Sequence, residues 1–447
     1  MGATDLAYHL RAGDQILHGT LPRVDTYTFS VSGQPWTDQQ WGAQAVMEVF
    51  YRLGGWPTLA AVQGLLVGAT FSLVYLAARQ SGAAPRSSAL LTLGGFLVAV
   101  PGLAMRPQLL ALPLFSALLW AVAGRDAHPR RLWLAPVLTG VCANMHGSFP
   151  VFIAVLGLAW LDDRRRHAPQ AKRTLLIAIV ACGATLLNPF GFKVWTYVYD
   201  LSTNPVIRNT ISEWAPTTLA SLPGWLTVLS AIAVAGVLIV RRRPVAWTAL
   251  LTLAGFFLLA MSAQRAIVWW GLVFPVVMAG ILSEGRDSEG RDAHEQTEVN
   301  REGSLPAKVM IAALLVGVLA LAPWLRGSSY RTFLGAAPGG LSDTVSQLPS
   351  GSRLMVHQPW GSWFEFSVPN DPVFVDSRIE IIPEDVWTDY GEVGFAGAGW
   401  KDVLNRWNVD VIVAAADWDL LDELRSDTAE WRELPLNDPE GAVFVRA

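Results

Sequence analysis

The sequence contains little charge. Only 16% of its 447 residues are Asp, Glu, Lys or Arg, whereas soluble domains carry about 25%. Long apolar runs take the place of the missing charges, so the composition indicates a polytopic membrane protein. Between the apolar runs the basic residues sit in short loops, acids concentrate toward the C-terminus, and no basic patch typical of nucleic-acid binding is present.

Cysteine and nucleotide-binding motifs are also scarce. Cys142 and Cys182 both lie inside apolar runs, which favours two small buried side chains over a disulfide or a metal pair. There is no CxxC pair, no P-loop and no GxGxxG turn between a strand and a helix. These absences argue against redox, P-loop nucleotidase and dinucleotide-binding functions.

Apolar runs long enough for membrane helices are frequent. A helical span needs about 20 mostly apolar residues, and about 17 suffice where the bilayer adapts. Ten spans are predicted, at 55–78, 88–104, 108–124, 132–144, 148–161, 174–188, 223–240, 245–262, 266–283 and 308–325. The sequence therefore predicts a transmembrane helical domain over residues 55–325.

Positive charge is distributed unevenly between the loops. One alternate set holds Arg79, Arg86, Arg125, Arg130, Arg131, Arg164, Arg165, Arg166, Lys172, Arg173, Arg241, Arg242 and Arg243. The other set holds only Arg106, Lys193, Arg208 and Arg265. Because basic loops remain in the cytoplasm, we predict a multi-pass inner (plasma) membrane protein with residues 1–54, which carry the candidate catalytic acids, and residues 326–447 both outside. No signal peptide accompanies the external N-terminal segment, so we expect a further helix ahead of residue 1.

Polar side chains gather near the predicted outer ends of the spans. Ionisable groups are costly there unless they face a polar cavity, so the pattern indicates a hydrated site. The candidates are Asp5, His9, Arg11, Asp25, Trp41, Arg106, Asn144, His146, Lys193, Glu213 and Arg265. Structural alternatives stay open: the arginines could reach lipid head groups, the tryptophan could anchor at the interface, and the acids could be solvated or form turns.

Asp5 and His9 are four residues apart and would share one face of a helix. The pair could act as a general base with its orienting group, as two metal ligands, or as a helix cap beside a solvated histidine.

The candidate residues suit transfer of a sugar from a lipid phosphate. A carboxylate can accept the proton of an attacking hydroxyl, and arginine can hold phosphate through paired charge-assisted hydrogen bonds. We predict Asp5 as the base with Asp25 as the second candidate, and Arg106 and Arg265 as phosphate ligands.

His146 and Lys193 would assist the phosphate ligands. The predicted donor is a polyprenyl-phosphate-linked sugar, since nucleotide sugars are not normally available outside the cell, and the predicted acceptor is extracytoplasmic. A divalent metal between an acid and the phosphate is compatible with this chemistry, but no motif in the sequence requires one.

The segment TDLAYHLRAGDQILHGTLPRVDTYTFSVSGQPWTDQQW resembles the first external loop of bacterial membrane proteins similar to the GT-C class of lipid-linked-sugar glycosyltransferases. The matching positions are Asp5, His9, Gly13, Ile16, Pro22, Asp25, Tyr27, Phe29, Trp36 and Trp41. The later stretches RPQ, NMHG, NPFG, EW, WGSWFEF and VFVDSR are similar as well. The resemblance implies a GT-C-like fold and a proton acceptor at Asp5, while Ala7 and Gln40 depart from the pattern.

The region 326–447 has a different character, with acids between short apolar stretches. RLMVH, PVFVD, VDVIVAAA and GAVFVRA predict strands, and KDVLNRWNV and WDLLDELRSD predict amphipathic helices. We expect a small extracytoplasmic α/β domain with a partly parallel sheet. Asp376 and Arg378 follow one strand, where they could bind a ligand or form a structural pair. The charged stretch 284–307 is predicted to be a disordered cytoplasmic linker.

Two other functions remain alternatives to sugar transfer. The chain could be a transporter or flippase that binds lipid-linked glycans, or a non-catalytic assembly partner that retains the fold.

Overall fold

The structure, a computed structural model, describes residues 5–204, 207, 211–241, 244–283, 322–335 and 337–447. The chain divides into two compact units. The terminal unit comprises Met1–Pro57 and Gly327–Ala447, and the helical unit comprises Thr58–Arg326. The two regions predicted as an external N-terminal segment and a C-terminal domain thus belong to one unit.

Helices account for most of the described chain. Their bounds are α1 Leu6–Leu17, α2 Trp41–Gln80, α3 Pro85–Ala99, α4 Pro107–Ala123, α5 Leu134–Met145, α6 Phe149–Arg165, α7 Ala171–Ala184, α8 Lys193–Thr203, α9 Leu222–Val240, α10 Trp247–Ser262, α11 Ile267–Ser283, α12 Tyr330–Phe333, α13 Gly339–Val345, α14 Gln358–Ser367, α15 Glu384–Gly394, α16 Trp400–Arg406 and α17 Leu420–Ser426.

A four-stranded sheet forms the centre of the terminal unit. Its strands are β1 Leu354–Val356, β2 Val411–Ala415, β3 Trp431–Glu433 and β4 Gly441–Arg446, in the order β1-β2-β4-β3. β1 and β2 are parallel, with Leu354 opposite Val411, and the other neighbours are antiparallel. The small, partly parallel α/β sheet predicted from the sequence is confirmed.

The N-terminal segment extends this sheet. Val373 forms parallel bridges to Leu354 of β1 and to Thr28. The Val373 amide donates to the Tyr27 carbonyl at 3.1 Å, and the Phe29 amide donates to the Val373 carbonyl at 3.0 Å. The predicted PVFVD strand therefore forms single bridges rather than a full strand. These bonds explain why the N-terminal segment and the C-terminal region belong to one compact unit.

The core of the terminal unit lies between this sheet and its helices. α16 and α17 coincide with the two amphipathic helices predicted in the C-terminal region. Their buried faces, including Leu404 and Leu421, join one apolar cluster with Phe374, Ile412 and Phe444. Burial of such side chains contributes about 1.5–3 kcal/mol each, so the sheet and its helices stabilise each other.

Nine of the ten predicted spans coincide with described helices: part of α2, then α3 to α7 and α9 to α11. The tenth, 308–325, lies largely outside the described residues. α2, α9 and the stretch Gln264–Ser283 are long and apolar enough to cross a membrane, and α4 and α10 are shorter apolar helices. The ten-span topology and its orientation therefore remain predictions.

Glycines shape the helices at two places. α2 is interrupted at Gly54 and Gly55, and Gly55 has φ 66°, in the left-handed region that favours glycine. In the helical unit, α3 packs on α11 where a Cβ on Gly95 would lie 2.3 Å from the Gly271 carbonyl oxygen. Only small residues allow this approach, so either glycine replaced by a larger residue would separate the two helices.

Candidate functional site

Asp5 directly precedes α1 in helical backbone conformation, with φ −61° and ψ −20°, so its four-residue spacing to His9 places both on one face. The Asp5 side chain accepts no hydrogen bond from the first turn of α1, which removes the helix-cap alternative. Among the residues that the structure describes, no three His, Cys, Asp or Glu side chains lie close enough to hold a metal ion.

His9 belongs to a buried polar chain. It is 2% exposed, and its Nδ1 lies 3.3 Å from Gln44 Nε2, which also donates to Asp38 Oδ1 at 2.9 Å. α1 can approach α2 this closely because a Cβ at Gly13 would lie 2.4 Å from the Gln44 carbonyl oxygen. Burial raises the pKa of Asp38 to about 7, against the hydrogen bond from Gln44 that lowers it. Asp38 therefore titrates near neutral pH.

Asp25, the second candidate base, is fully buried. Its Oδ2 accepts from the Thr28 amide at 3.1 Å and the Thr28 hydroxyl at 2.7 Å, and its Oδ1 accepts from the Tyr27 amide at 3.3 Å. Arg378 Nη2 donates to the same Oδ1 at 2.5 Å. Both carboxylate oxygens are thus engaged by turn and guanidinium donors, an arrangement that favours a structural role for Asp25.

Arg378 and Asp376 form the centre of this cluster. Arg378 Nε donates to Asp376 Oδ2 at 2.7 Å, and the Arg378 amide donates to Asp376 Oδ1 at 2.7 Å. The guanidinium carbon lies 4.6 Å from the ring centroids of both Tyr27 and Trp36. Both Arg378 and Asp376 are at most 1% exposed, so the pair predicted at the end of a strand is buried between aromatic rings.

Glu365 and Arg11 complete the cluster. Arg11 Nη1 and Nη2 donate to the carbonyl oxygens of Glu365 and Pro369 at 2.5 and 2.6 Å, so Arg11 bonds to the backbone at the end of α14. Burial, followed by the nearby Asp376 charge, raises the pKa of Glu365 well above its usual value. A protonated Glu365 can donate to the Asp376 carboxylate.

The charges of this cluster then balance. Burial acts to raise the pKa of Asp376, but the Arg378 charge and the hydrogen bonds outweigh it and hold that pKa below its usual value. Asp376 and Asp25 are opposed by Arg378 and Arg11, and the raised pKa of Glu365 favours its neutral form. A buried group of charges persists only when it is paired and hydrogen-bonded in this way.

The helical unit brings together Arg265 and His146. Arg265 Nη2 lies 3.4 Å from His146 Nε2, and the Ser148 amide donates to His146 Nδ1 at 3.2 Å. Both the Ser148 amide and the Arg265 guanidinium can only donate, and a neutral imidazole accepts at only one nitrogen. In the tautomer that accepts from Ser148 at Nδ1, the ring carries its proton on Nε2. Two donors, the guanidinium and Nε2–H, are then side by side and suited to share one acceptor.

Arg106 and Glu213 lie beside this donor pair in the helical unit. Arg106 Nη1 donates to Glu213 Oε1, and the two side chains are 31% and 44% exposed. The Arg265 amide donates to the Glu213 carbonyl at 2.9 Å, and its guanidinium carbon lies 4.5 Å from the centre of the Trp214 ring. The Glu213–Trp214 loop therefore positions both arginines, and the cluster remains open to solvent.

The other predicted residues have different settings. Asn144 Nδ2 donates to the carbonyls of Gly140 and Leu187 at 2.9 Å each, so it joins α5 to the loop after α7. Lys193 is exposed at the first residue of α8, and Trp41 is half-buried at the first residue of α2.

Three polar residues important to these clusters were not among the predicted site residues. Gln44 and Asp38 extend the contacts of His9, and Glu365 extends those of Asp376. Glu365 had a recognisable signal, since it is the single acid in the apolar stretch WGSWFEF. Gln108, in the RPQ stretch, donates to the Arg265 carbonyl at 3.1 Å.

Neither a protein-family model nor a curated protein sequence matches the chain, but solved structures do. The oligosaccharyltransferase AglB from Archaeoglobus fulgidus, in complex with an inhibitory peptide and a dolichol-phosphate, is similar with a TM-score of 0.57 and 14% identity, over 93% of this chain and 66% of that chain. An apo oligosaccharyltransferase from Archaeoglobus fulgidus has a TM-score of 0.56 and 13% identity over the same shares.

ArnT from Cupriavidus metallidurans, bound to undecaprenyl phosphate, has a TM-score of 0.51 and 15% identity, over 100% of this chain and 94% of that chain. The chain spans 66% of the length of the two oligosaccharyltransferases. Identities this low establish the fold only. The predicted GT-C-like fold is confirmed, and with its long apolar helices the chain is a membrane protein.

Proposed function

We propose that this GT-C-like chain is a membrane glycosyltransferase that transfers a sugar from a polyprenyl-phosphate carrier to an acceptor outside the cytoplasm. The observation that carries the proposal is the donor pair of Arg265 and His146. Phosphate oxygens accept charge-assisted hydrogen bonds, so a leaving lipid phosphate suits these donors. Two of the similar structures hold such carriers, a dolichol-phosphate and undecaprenyl phosphate.

The roles within the helical unit follow from its contacts. Arg265 and His146 would hold the carrier phosphate, with Arg106 beside them and Lys193 as a solvent-exposed helper. Glu213 holds Arg106 in an ion pair, so its carboxylate competes with the carrier phosphate for this guanidinium. As negative charge develops on the leaving phosphate, these fixed donors stabilise it more than they stabilise the intact donor lipid.

Asp5 is proposed as the base that accepts the proton of the acceptor hydroxyl. Its neighbour His9 is held by Gln44, which orients the face of α1 that carries Asp5. Asp25, Asp376 and Arg378 are proposed to maintain the fold of the terminal unit. We further propose a multi-pass plasma-membrane protein with both terminal regions outside the cytoplasm, in agreement with the arginine-rich loops.

The phosphate site is tested by binding of polyprenyl phosphate to the purified full chain in lipid nanodiscs. Arg265→Gln removes a charge-assisted contact and is expected to weaken binding at least tenfold. Arg86→Gln is the matched control, since Arg86 is exposed at the start of α3 and belongs to the arginine-rich loops. Equal binding by both variants would exclude Arg265 as a phosphate ligand.

The chemistry is tested by release of polyprenyl phosphate from a panel of radiolabelled lipid-linked sugars. Asp5→Asn should abolish release and preserve binding of the carrier, whereas Asp14→Asn, at an exposed position of α1, should retain both. A chain that translocates labelled lipid in vesicles and keeps this flux in Asp5→Asn would be a transporter. Binding without release or flux, for every sugar of the panel, would indicate a non-catalytic partner.

A further inference from the structure

The helical unit contains a second polar region, which follows the C-terminal end of α4. α4 has 17 residues, which separates its ends by about 25 Å. Arg106 directly precedes the first residue of α4, and Arg125 lies two residues beyond the last residue of α4. A cavity of about 360 Å³ opens near Arg125, between α4, α6, α10 and α11. This volume is in the range of small-ligand pockets.

The depth of the cavity is apolar, and small side chains create its space. Ala123, Ala159, Ala249 and Gly280 line it together with larger aliphatic residues such as Leu119. A hydrocarbon chain in a space of this size would make dispersion contacts with the lining atoms on every side.

The mouth of the cavity is charged and built from paired side chains. Arg125 donates to Asp162 at 2.6 Å and to Asp163 at 2.9 Å. Arg166 donates to Asp126 at 2.8 Å and to Asp163 at 2.7 Å. Thr248 and Thr174 donate to Asp162 and Asp163 at 2.8 and 2.7 Å, which further fixes the carboxylates.

The signs of these charges balance. Three arginines (Arg125, Arg165 and Arg166) and three aspartates (Asp126, Asp162 and Asp163) form one connected network. A purely anionic ligand would be opposed by the aspartates and a purely cationic one by the arginines. A ligand that carries one charge of each sign meets a partner for both.

We propose that this cavity binds a zwitterionic phospholipid whose headgroup has a primary ammonium, as ethanolamine does. The lipid phosphate would bind Arg165 and Arg166, which are each 32% exposed, and the ammonium would bind Asp126, which is 54% exposed. A primary ammonium donates hydrogen bonds to a carboxylate, whereas a trimethylammonium cannot. One acyl chain would occupy the apolar depth between α6 and α10.

The proposal is tested with the full chain in detergent, with native mass spectrometry to count bound lipids. The probes are phosphatidylethanolamine, phosphatidylcholine and phosphatidylglycerol with identical acyl chains, and inorganic phosphate as a headgroup without a chain. We expect the ethanolamine lipid to be retained at least fivefold better than the other two lipids, and phosphate alone not to displace it. Equal retention of the three lipids, or displacement by phosphate, would overturn the proposal.

Two variants examine the two parts of the cavity separately. Ala249→Leu should fill the apolar depth and reduce retention at least fivefold, whereas Ala254→Leu, on an exposed position of the same helix, should have no effect. Asp126→Asn removes the exposed carboxylate and should abolish the preference for ethanolamine over choline while a lipid still binds. An unchanged preference in Asp126→Asn, with Ala249→Leu equal to Ala254→Leu, would show that the lipid binds elsewhere.

Discussion

Two arginine clusters of this protein use the same kinds of side chain in opposite ways. In the terminal unit, Arg378 is buried with Asp25 and Asp376, and turn amides and aromatic rings occupy its surroundings. In the helical unit, half-buried Arg265 contacts the buried His146 ring, and the neighbouring Arg106 and Glu213 side chains are partly exposed.

The difference lies in burial and in the number of carboxylates around each guanidinium. A guanidinium enclosed by carboxylates stabilises the fold, because removing one member of the group would leave a buried charge without its partner. Its donors are engaged by those carboxylates, so it offers little to a ligand. A guanidinium beside an imidazole that can donate, in a cluster with partly exposed side chains, instead suits an anion that arrives from solvent. The comparison therefore separates structural arginines from binding ones on geometry, which residue type alone cannot do.

The largest effect should follow from removing the buried guanidinium. Arg378→Gln leaves Asp25 and Asp376 buried without their main counter-charge, so we expect a loss of about 3–5 kcal/mol in the free energy of unfolding of the terminal unit. Thermal unfolding of the full chain in nanodiscs, followed by protease sensitivity of the C-terminal region, measures it. Arg425→Gln, which breaks an exposed pair with Glu433, serves as the control and should change little. A stable Arg378→Gln protein would refute the structural role.

Asp25→Asn distinguishes the two candidate bases. Asn keeps an acceptor oxygen but loses the charge opposite Arg378, so we expect a lower unfolding temperature with retained activity per folded molecule. Asp5→Asn should show the reverse, with lost activity and an unchanged unfolding temperature. Simultaneous measurement of unfolding and of lipid-phosphate release decides between them. Lost activity in a stably folded Asp25→Asn protein would restore Asp25 as the base.

The stability of the terminal unit should depend on pH. The pKa of Asp38 is raised by burial to about 7 in the folded state, whereas the unfolded value is about 3.9. Between these values the unfolded state loses its proton while the folded state keeps it, so stability falls as pH rises from about 4 to 7. Unfolding temperatures at pH 5 and pH 8 should differ, with pH 5 the higher, and Asp38→Asn should reduce the difference. An equal slope in Asp38→Asn would contradict the assignment.

Glu365, like Asp38, has a raised pKa in the folded state, so its contribution to the stability of the terminal unit should also fall as pH rises. Its raised pKa favours the neutral form, so Glu365→Gln, which resembles the protonated acid, is expected to alter stability at low pH by less than about 1 kcal/mol. Asp376→Asn, at the position that remains ionised, should cost several times more. Equal losses in the two variants would mean that both acids are charged.

The smallest effect is expected from Glu213→Gln in the open cluster. Without the Glu213 charge, Arg106 no longer binds a competing carboxylate, and affinity for polyprenyl phosphate should rise two- to fivefold. Nanodisc binding measurements report this change. A decrease instead would show that positioning of Arg106 by Glu213 matters more than competition for it.

Much of the fold was predictable because its signals are local. Nine predicted spans, three of the four predicted C-terminal strands and both predicted C-terminal helices coincide with described elements. The short β3 was not predicted, since only Trp431 of its three residues is buried. PVFVD carries the pattern of a strand, but its neighbours on either side pair with only one or two of its residues.

The candidate site was predictable as a set of residues, not as an arrangement. Arg106, Glu213, His146 and Arg265 were all selected from the sequence, and the structure brings them together within the helical unit. Asp25, Asp376 and Arg378 were selected by the same reasoning, and the structure buries them. Gln44 and Asp38 were not selected as site residues because a neutral amide or a single acid gives no motif.

The sequence by itself determined the membrane character, the helical segments and the alternation of basic loops, since hydrophobicity and charge act over neighbouring residues. Tertiary structure alone decided which charges meet: Asp25 and Arg378 are 353 residues apart, and His146 and Arg265 are 119 apart. Whether such a pair is buried and neutralised or open to a ligand depends on the surrounding side chains and their solvation. Those surroundings are assembled from distant parts of the chain, so they exist only in the folded protein.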